Sequence, residues 1–249
     1  MIVFIVPLKS VKMARSKTLY HKLLQRTLRS VTAQSSDQFR VIVICNELPQ
    51  IDFRHHALEF LLVNLPLPER TEKCQNADKA RRIIAGLEHA ARYKPTHTMV
   101  VDADDCISNQ IASFVKKHSG HPGWVLNSGF LYTEGNRIAF KNVQNFNHSC
   151  GSSVIIRYDL RKHLLHGNSY YGHEHPELPA PLQVTPLPFP GAVYNIRNGE
   201  NFFMTKEKVH TQQRNEGKLR YYVKKMLKYR PVLVTPWFRQ RFNLYRLSA

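Results

Sequence analysis

The 249-residue chain is short of acid, sparing with cysteine and free of long apolar runs. Its 18 Asp and Glu stand against 36 Lys and Arg, a formal net charge of +18 at pH 7 with histidine neutral. Such a surplus has to be solvated, screened or matched by an anionic partner, and nucleotide phosphates, acidic lipid and nucleic acid all qualify. The four cysteines, Cys45, Cys74, Cys106 and Cys150, are widely spaced and form no Cys-x-x-Cys pair. That spacing argues against a disulfide framework and favours a reducing cytosol. No segment approaches the ~20 apolar residues that a membrane-spanning helix needs. The apolar opening, residues 1–8, is too short for a span and has no basic stretch before it, so it reads as a strand. The expected location is cytoplasmic, with peripheral attachment at the inner membrane face as a variant of it. No internal repeat is found, and 43% apolar content with 22% charge belongs to a folded domain.

What is present is an alternation of strand and helix patterns. Residues 2–6 are β-branched or aromatic and end at Pro7, as a buried parallel strand does. Over 18–32, Leu19, Leu23, Leu24, Leu28 and Val31 recur at helical spacing, with Lys22, Arg26 and Arg29 on the other side. A second apolar run over 39–45 completes a β-α-β unit, and 58–63 supplies a third strand. Residues 78–93 read as a second helix, with Ile83, Ile84, Leu87 and Ala91 on one face, and 98–101 as a strand running into Asp102. This order predicts an α/β fold with a mostly parallel central sheet flanked by helices, where ligands gather at strand carboxyl ends. Residues 123–132, 138–140 and 152–157 read as shorter strands, and 160–165 as a short helix. Six prolines within 176–190 make that stretch an ordered loop or extended segment.

The sharpest chemical feature is Met99-Val100-Val101-Asp102-Ala103-Asp104-Asp105. A hydrophobic strand that delivers three carboxylates needs a reason to gather so much negative charge, and a hard divalent cation supplies one. On extended chain Asp102 and Asp104 face the same side and can address a single ligand. Asp105 is placed to orient them. The competing reading is a solvated turn that closes a strand.

With its surroundings this motif resembles the GT-A glycosyltransferases, family 2 in particular. The strand ending at Pro7 is followed by a helix closing on Leu28-Arg29-Ser30-Val31-Thr32-Ala33-Gln34, the family's Leu-x-Ser-x-x-x-Gln pattern. The next strand ends at Asn46-Glu47, where the family carries a nucleotide-contacting acidic position. Ala80-Arg81 lies where an Ala-Arg pair often precedes the metal motif. Cys150-Gly151-Ser152-Ser153 resembles the acceptor-side Gly-Ser strand, and Gly172-His173-Glu174-His175 stands where an acidic pair is expected.

The resemblance covers residues 1–205. It implies a single GT-A (Rossmann-like) domain over 1–210, followed by a basic, aromatic, helical extension over 211–249. It also implies a nucleotide sugar held by Pro7, Glu47, Asp78, Lys79, Arg81 and Asp102. A Mn²⁺ or Mg²⁺ ion would sit on Asp102 and Asp104, with His210 the nearest candidate for a third ligand. Glu174, with His175 beside it, would be the catalytic base. Transfer leaves new negative charge on the departing nucleotide, which a metal with Lys79 or Arg81 would stabilise, while the acceptor hydroxyl gives up a proton. For Lys79 and Arg81 a solvated helix face fits equally well; for Glu174 the alternative is a surface loop charge.

From Lys218 onward, nine Lys or Arg and no acid interleave with Tyr221, Tyr222, Tyr229, Trp237, Phe238, Phe242 and Tyr245. Leu219, Tyr222, Val223, Met226 and Leu227 form a helical stripe, as in a helix lying on an anionic membrane that carries a saccharide or lipid-linked acceptor. A helix packed on the domain with a solvated basic face reads equally well. Two rivals stay open. One is a nucleic-acid- or membrane-binding basic protein without catalysis, although the acidic turn would repel phosphate unless a metal intervened. The other is a nucleotidyltransferase, which would share sheet and metal but release pyrophosphate. The primary expectation is a hexosyltransferase-like, metal-dependent enzyme that does not take nucleic acid as its partner.

Overall fold

The computed structural model of the protein describes residues 1–166, 169–170, 182–200 and 229–247. The fold is mixed α/β, with a seven-stranded sheet and a five-stranded sheet as its main layers. In the larger sheet β1 (Ile2–Pro7), β2 (Phe39–Cys45), β3 (Leu58–Leu62) and β4 (His97–Val100) lie parallel in the order β4-β1-β2-β3. Helix α1 (Lys17–Thr32) joins β1 to β2, and α2 (Glu72–His89) joins β3 to β4.

Both faces of β1 are covered, which is why its residues run apolar without alternation. Ile2, Phe4 and Val6 pack with Leu24, Leu28 and Val31 of α1, while Val3 and Ile5 pack with Ile83 and Leu87 of α2. Gly86 lets α2 approach closely, since a Cβ there would lie 2.5 Å from Ile44 Cδ1 and 2.9 Å from Ile5 Cγ2. Helix α2 starts six residues before the expected residue 78. Thr71 caps it by accepting from the Cys74 N–H, and its polar first turns carry no apolar period because Gln75 and Asn76 border an open cavity.

Beyond β4 come β5 (Cys106–Ile107), α3 (Ile111–Lys117), β6 (Gly123–Val125), β7 (Gly129–Thr133), β8 (Ile138–Asn142) and β9 (Val154–Arg157). A small ladder pairs β10 (Leu165–His166) with β11 (Ser169–Tyr170). Then follow β12 (Thr185–Pro186), β13 (Ala192–Ile196), β14 (Tyr229–Leu233) and helix α4 (Pro236–Phe242). Strand β9 runs antiparallel between β4 and β6, so the larger sheet is mostly parallel with one reversed strand.

The second sheet, ordered β14-β8-β7-β13-β5, is an addition to the expected architecture. The apolar run read as one strand over 123–132 is two strands in different sheets, because the chain leaves the larger sheet after Val125 and enters the smaller at Gly129. The short helix read over 160–165 is a 3-10 helix over Tyr158–Leu164.

The basic extension expected over 211–249 is described for 229–247, and there it is not a helical tail. Strand β14 closes the edge of the second sheet against β8, and α4 buries Phe238 and Phe242 against Phe130. Ser30 of α1 donates to the Phe242 carbonyl at 2.6 Å, and Asn243 donates to the Arg29 carbonyl at 2.8 Å. Alternating Val232 and Val234 with a buried partner decide for a strand where composition alone suggested a helix. The helical stripe expected from Leu219 to Leu227 lies outside the described residues. Among the described residues no helix is long and apolar enough to cross a membrane.

Candidate functional site

The order β4-β1-β2-β3 reverses direction between β1 and β4, and the carboxyl ends of those two strands open a crevice there. A cavity of about 190 Å³ lies at this point. Pro7, Leu8 and Lys9 reach it from the end of β1, Asp102, Ala103 and Asp104 from the end of β4, and Gln75, Asn76, Asp78, Lys79 and Arg82 from α2. Tyr20 and Leu23 of α1, Gly151, Tyr194 and Glu200 add to the wall.

The three carboxylates of the turn are held in three ways. Asp102 forms an ion pair with Lys79, Nζ to Oδ1 at 2.5 Å, and its backbone N–H donates to Ser152 Oγ at 2.8 Å. Asp104 accepts from Asn198 Nδ2 at 2.7 Å. Asp105 is fully buried, and its Oδ2 accepts from Ser152 Oγ at 2.7 Å and from Cys150 Sγ at 3.2 Å. Burial pushes the Asp105 pKa well above the ordinary carboxylate range, and the neighbouring Asp104 and Asp102 add to the rise. Asp104 is raised by burial and by Asp102, against the pull of Asn198, Lys9 and Lys79. For Lys79, burial opposes the charge, but Asp102, Asp105 and Asp104 outweigh it and hold the ammonium above its ordinary value. The turn is thus a concentration of negative charge with lysine on its cavity side.

Gly151 explains how the Lys79–Asp102 pair fits. A Cβ at that position would meet Asp102 Oδ2 at 2.5 Å and Lys79 Nζ at 3.0 Å. The Leu-x-Ser-x-x-x-Gln pattern supports the same turn from below. Ser30 Oγ accepts from the Ile107 N–H at 2.9 Å, and Gln34 bonds the Ser108 carbonyl and the Ala112 N–H, so α1 grips the chain just after the acidic turn.

The structure gathers Pro7, Asp78, Lys79, Asp102 and Asp104 around one cavity. Their contacts differ from the sequence expectation in two places. Arg81 is exposed on the outer face of α2 and does not line the cavity. Its neighbour Arg82 does, forking onto Asp78 through Nε at 2.8 Å and Nη2 at 3.1 Å and donating to Asn46 Oδ1 at 2.6 Å. The helical phase decides this: Arg82 is four residues after Asp78, and Arg81 points a hundred degrees away. Glu47 also lies off the cavity wall, where its Oε1 accepts from Ser10 Oγ at 2.8 Å and the Val11 N–H at 2.7 Å and so shapes the loop after β1. Glu174, His175 and His210 lie outside the described residues.

Sequence reading did not single out Lys9, Tyr20, Tyr194, Asn198 or Glu200. The Glu200 side chain is 4% exposed and accepts from Lys9 Nζ at 2.8 Å and from the Arg15 and Ser16 N–H groups at 2.9 and 2.8 Å. It thereby ties the segment after β13 to the loop before α1. No local signal marks it, because its partners are nearly two hundred residues away in the chain.

Asp102 and Asp104 offer hard oxygen donors to one cavity, a donor set suited to Mg²⁺ or Mn²⁺. Among the described residues no group of three His, Cys, Asp or Glu gathers around a single point.

No protein-family model matches the chain, and no curated protein matches it. Among solved structures, S. aureus TarS 1–349 in complex with UDP-GlcNAc is similar at a TM-score of 0.45 and 15% identity, over 82% of this chain and 60% of that one. S. aureus TarS 1–349 in complex with UDP is similar at a TM-score of 0.40 and 14% identity, over 78% of this chain and 60% of that one. The chain therefore spans less than two thirds of the length of either.

Proposed function

We propose that the protein is a glycosyltransferase of the GT-A kind, taking a nucleoside diphosphate sugar as donor and a saccharide or lipid-linked hydroxyl as acceptor. The observation that carries this reading is the meeting of the acidic turn after β4 with the loop after β1 at the switch point of a parallel sheet. Carboxylates and lysine there line one cavity. A purely anion-binding crevice would not be floored with Asp102 and Asp104, and a purely structural acidic turn would not open onto a cavity.

In this reading Asp102 and Asp104 hold a divalent ion, Mn²⁺ or Mg²⁺. When bound, that ion supplies positive charge to the donor's diphosphate. Lys79 and Lys9 add to the positive field on the departing nucleotide. Tyr20, Leu23 and Pro7 provide apolar wall for the nucleoside, while Asp78, through Arg82 and Asn46, keeps the wall in shape. The deprotonating group for the acceptor is Glu174 or its neighbour His175.

The test is a panel of nucleoside diphosphate sugars, assayed for metal-dependent hydrolysis and for thermal stabilisation of the protein, in wild type and in Asp104→Ala. At least one donor is expected to raise Tm and to be hydrolysed with release of nucleoside diphosphate, and Asp104→Ala to abolish both. Hydrolysis that survives the substitution unchanged removes the reading, and release of pyrophosphate replaces it with nucleotidyl transfer.

A further inference from the structure

Strands β1 and β4 pair only as far as Ile5 and Val100, with one further bond from the Val101 N–H to the Ile5 carbonyl. Lys9 and Asp104 line the cavity beyond the end of that ladder, so another element has to hold them relative to each other. The turn that follows β13 reaches both. Asn198 is 8% exposed, and its Nδ2 donates to Asp104 Oδ2 at 2.7 Å and to the Asn195 carbonyl at 3.0 Å. Its Oδ1 accepts from the Glu200 N–H at 2.8 Å. Just before it, the Asn195 N–H donates to Asp105 Oδ1 at 3.4 Å. On the other side, Glu200 Oε2 accepts from Lys9 Nζ, and Oε1 accepts from the Arg15 and Ser16 N–H groups. Ser16 is the N-cap of α1, so Glu200 grips the loop after β1 where it enters the helix.

The backbone of this turn is not the least strained connection. Arg197 has a φ of 59° and Gly199 a φ of 88°. A Cβ at Gly199 would meet only Leu19 Cδ2, at 3.8 Å, so conformation and not space calls for glycine there. Arginine lacks that freedom, because in the left-handed region its Cβ crowds the following carbonyl. Such a conformation persists where the surroundings over-determine it, and it gathers at functional sites. Here the hydrogen bonds of Asn198 and Glu200 impose it, and two of their partners, Asp104 and Lys9, line the cavity.

We propose that the turn Arg197-Asn198-Gly199-Glu200 is a clasp that fixes the carboxylate side and the lysine side of the cavity against each other. Asn198 is the positioning residue for the Asp104 carboxylate, and Glu200 is the positioning residue for the loop that carries Lys9. The ligand that benefits, a divalent ion together with a diphosphate, rests on the sugar-donor reading.

Asn198→Ala removes the bond to Asp104 and the bond to the Glu200 N–H. It is compared with wild type by Tm, by Mn²⁺ binding without nucleotide in electron-spin resonance, and by hydrogen exchange at the Arg15 and Ser16 amides. Mn²⁺ binding is expected to weaken about tenfold, as loss of a group that orients a metal ligand does. Exchange at the two amides, nearly two hundred residues away in the chain, is expected to quicken about tenfold. Gly199→Ala keeps both side chains and meets no core atom, so it serves where Asn198→Ala fails to fold. It is expected to move both readouts in the same direction, about threefold. A role in stability alone would lower Tm and leave Mn²⁺ affinity where it was. Unchanged Mn²⁺ affinity in both variants, or unchanged exchange at Arg15 and Ser16, overturns the clasp and leaves the donor reading standing. Wild-type protein that binds no Mn²⁺ overturns both together.

Discussion

Lys79 and Asp102 sit on different elements, one on α2 and one at the end of β4, yet their charged atoms are 2.5 Å apart at the mouth of the cavity. A lysine in that place does what a metal ion would also do, which is to neutralise the first carboxylate of the acidic turn. On the proposed reading the two cations compete for Asp102. In Lys79→Met, Mn²⁺ binding without nucleotide, read by the electron-spin resonance of the free ion, is expected to tighten about tenfold. Affinity for a nucleoside diphosphate is expected to fall by a similar factor, because a phosphate contact is lost. Unchanged Mn²⁺ affinity would show that the ion does not use Asp102.

Gly151 is expected to matter for the site and not for the fold. A Cβ there would strike Asp102 Oδ2 and crowd Lys79 Nζ, both ends of side chains that can move. Gly151→Ala is expected to leave Tm within a few degrees of wild type and to cost roughly 1–2 kcal/mol in donor binding, about five- to thirtyfold by titration calorimetry. A large loss of Tm would place the role of this glycine in folding instead.

At Gly86 the opposite is expected. Alanine gains ~1 kcal/mol of helix propensity, but its methyl group enters the packed contact with Ile44 and Ile5, where overpacking costs ~1–3 kcal/mol. The net expectation is a lower urea midpoint with an unchanged slope. A higher midpoint would mean that α2 can retreat from the sheet without loss.

Arg82 and Asp78 form a buried pair with nearly no exposure on either side. Removing one partner leaves a buried charge uncompensated, which costs ~3–5 kcal/mol. Arg82→Met is expected to lower stability by that order, and Arg82→Met with Asp78→Leu to recover part of it. The double-mutant cycle measures the coupling. Additive losses would show the two side chains to be independent.

Glu59 on β3 accepts from His89 at 2.6 Å and from Tyr93, with Arg92 nearby. Burial raises its pKa, but the hydrogen bonds from Tyr93 and His89 and the charges of His89 and Arg92 outweigh this and hold it below the ordinary value. A depressed folded-state pKa contributes stability that is present above the unfolded value of ~4.3 and is lost as pH falls through the folded one. The group is partly exposed, so the contribution is small. Glu59→Gln is expected to cost ~0.5–1 kcal/mol at pH 7 and progressively less below pH ~4 in urea melts. An equal cost at both pH values would assign the effect to packing.

The strands and helices of the first hundred residues were legible because local pattern and tertiary role agree there. Val41 to Cys45 reads as a fully buried strand and is one, and the face of Leu24, Leu28 and Val31 is the face α1 buries. The early start of α2 was not legible, since Glu72 and Lys73 are exposed, Gln75 and Asn76 border a cavity, and the turn carries no apolar period. The second sheet was not legible either. Its pairings join β8 to β14 and β7 to β13 across long stretches of chain, and strands of two to five residues carry too little pattern to announce their partners.

For the site, Asp102-Ala103-Asp104-Asp105 was visible as chemistry because three carboxylates in one turn are costly wherever the turn lies. Which side chains answer them was settled by long-range closure: Lys79 of α2 on Asp102, Asn198 from beyond β13 on Asp104, and Ser152 and Cys150 on Asp105. The sequence by itself determined where the charge is concentrated and that a parallel α/β layer would present it. Tertiary structure alone decided which side chains meet it, because a carboxylate's partners are set by distance in space, and these elements come together only when the strand order reverses between β4 and β1.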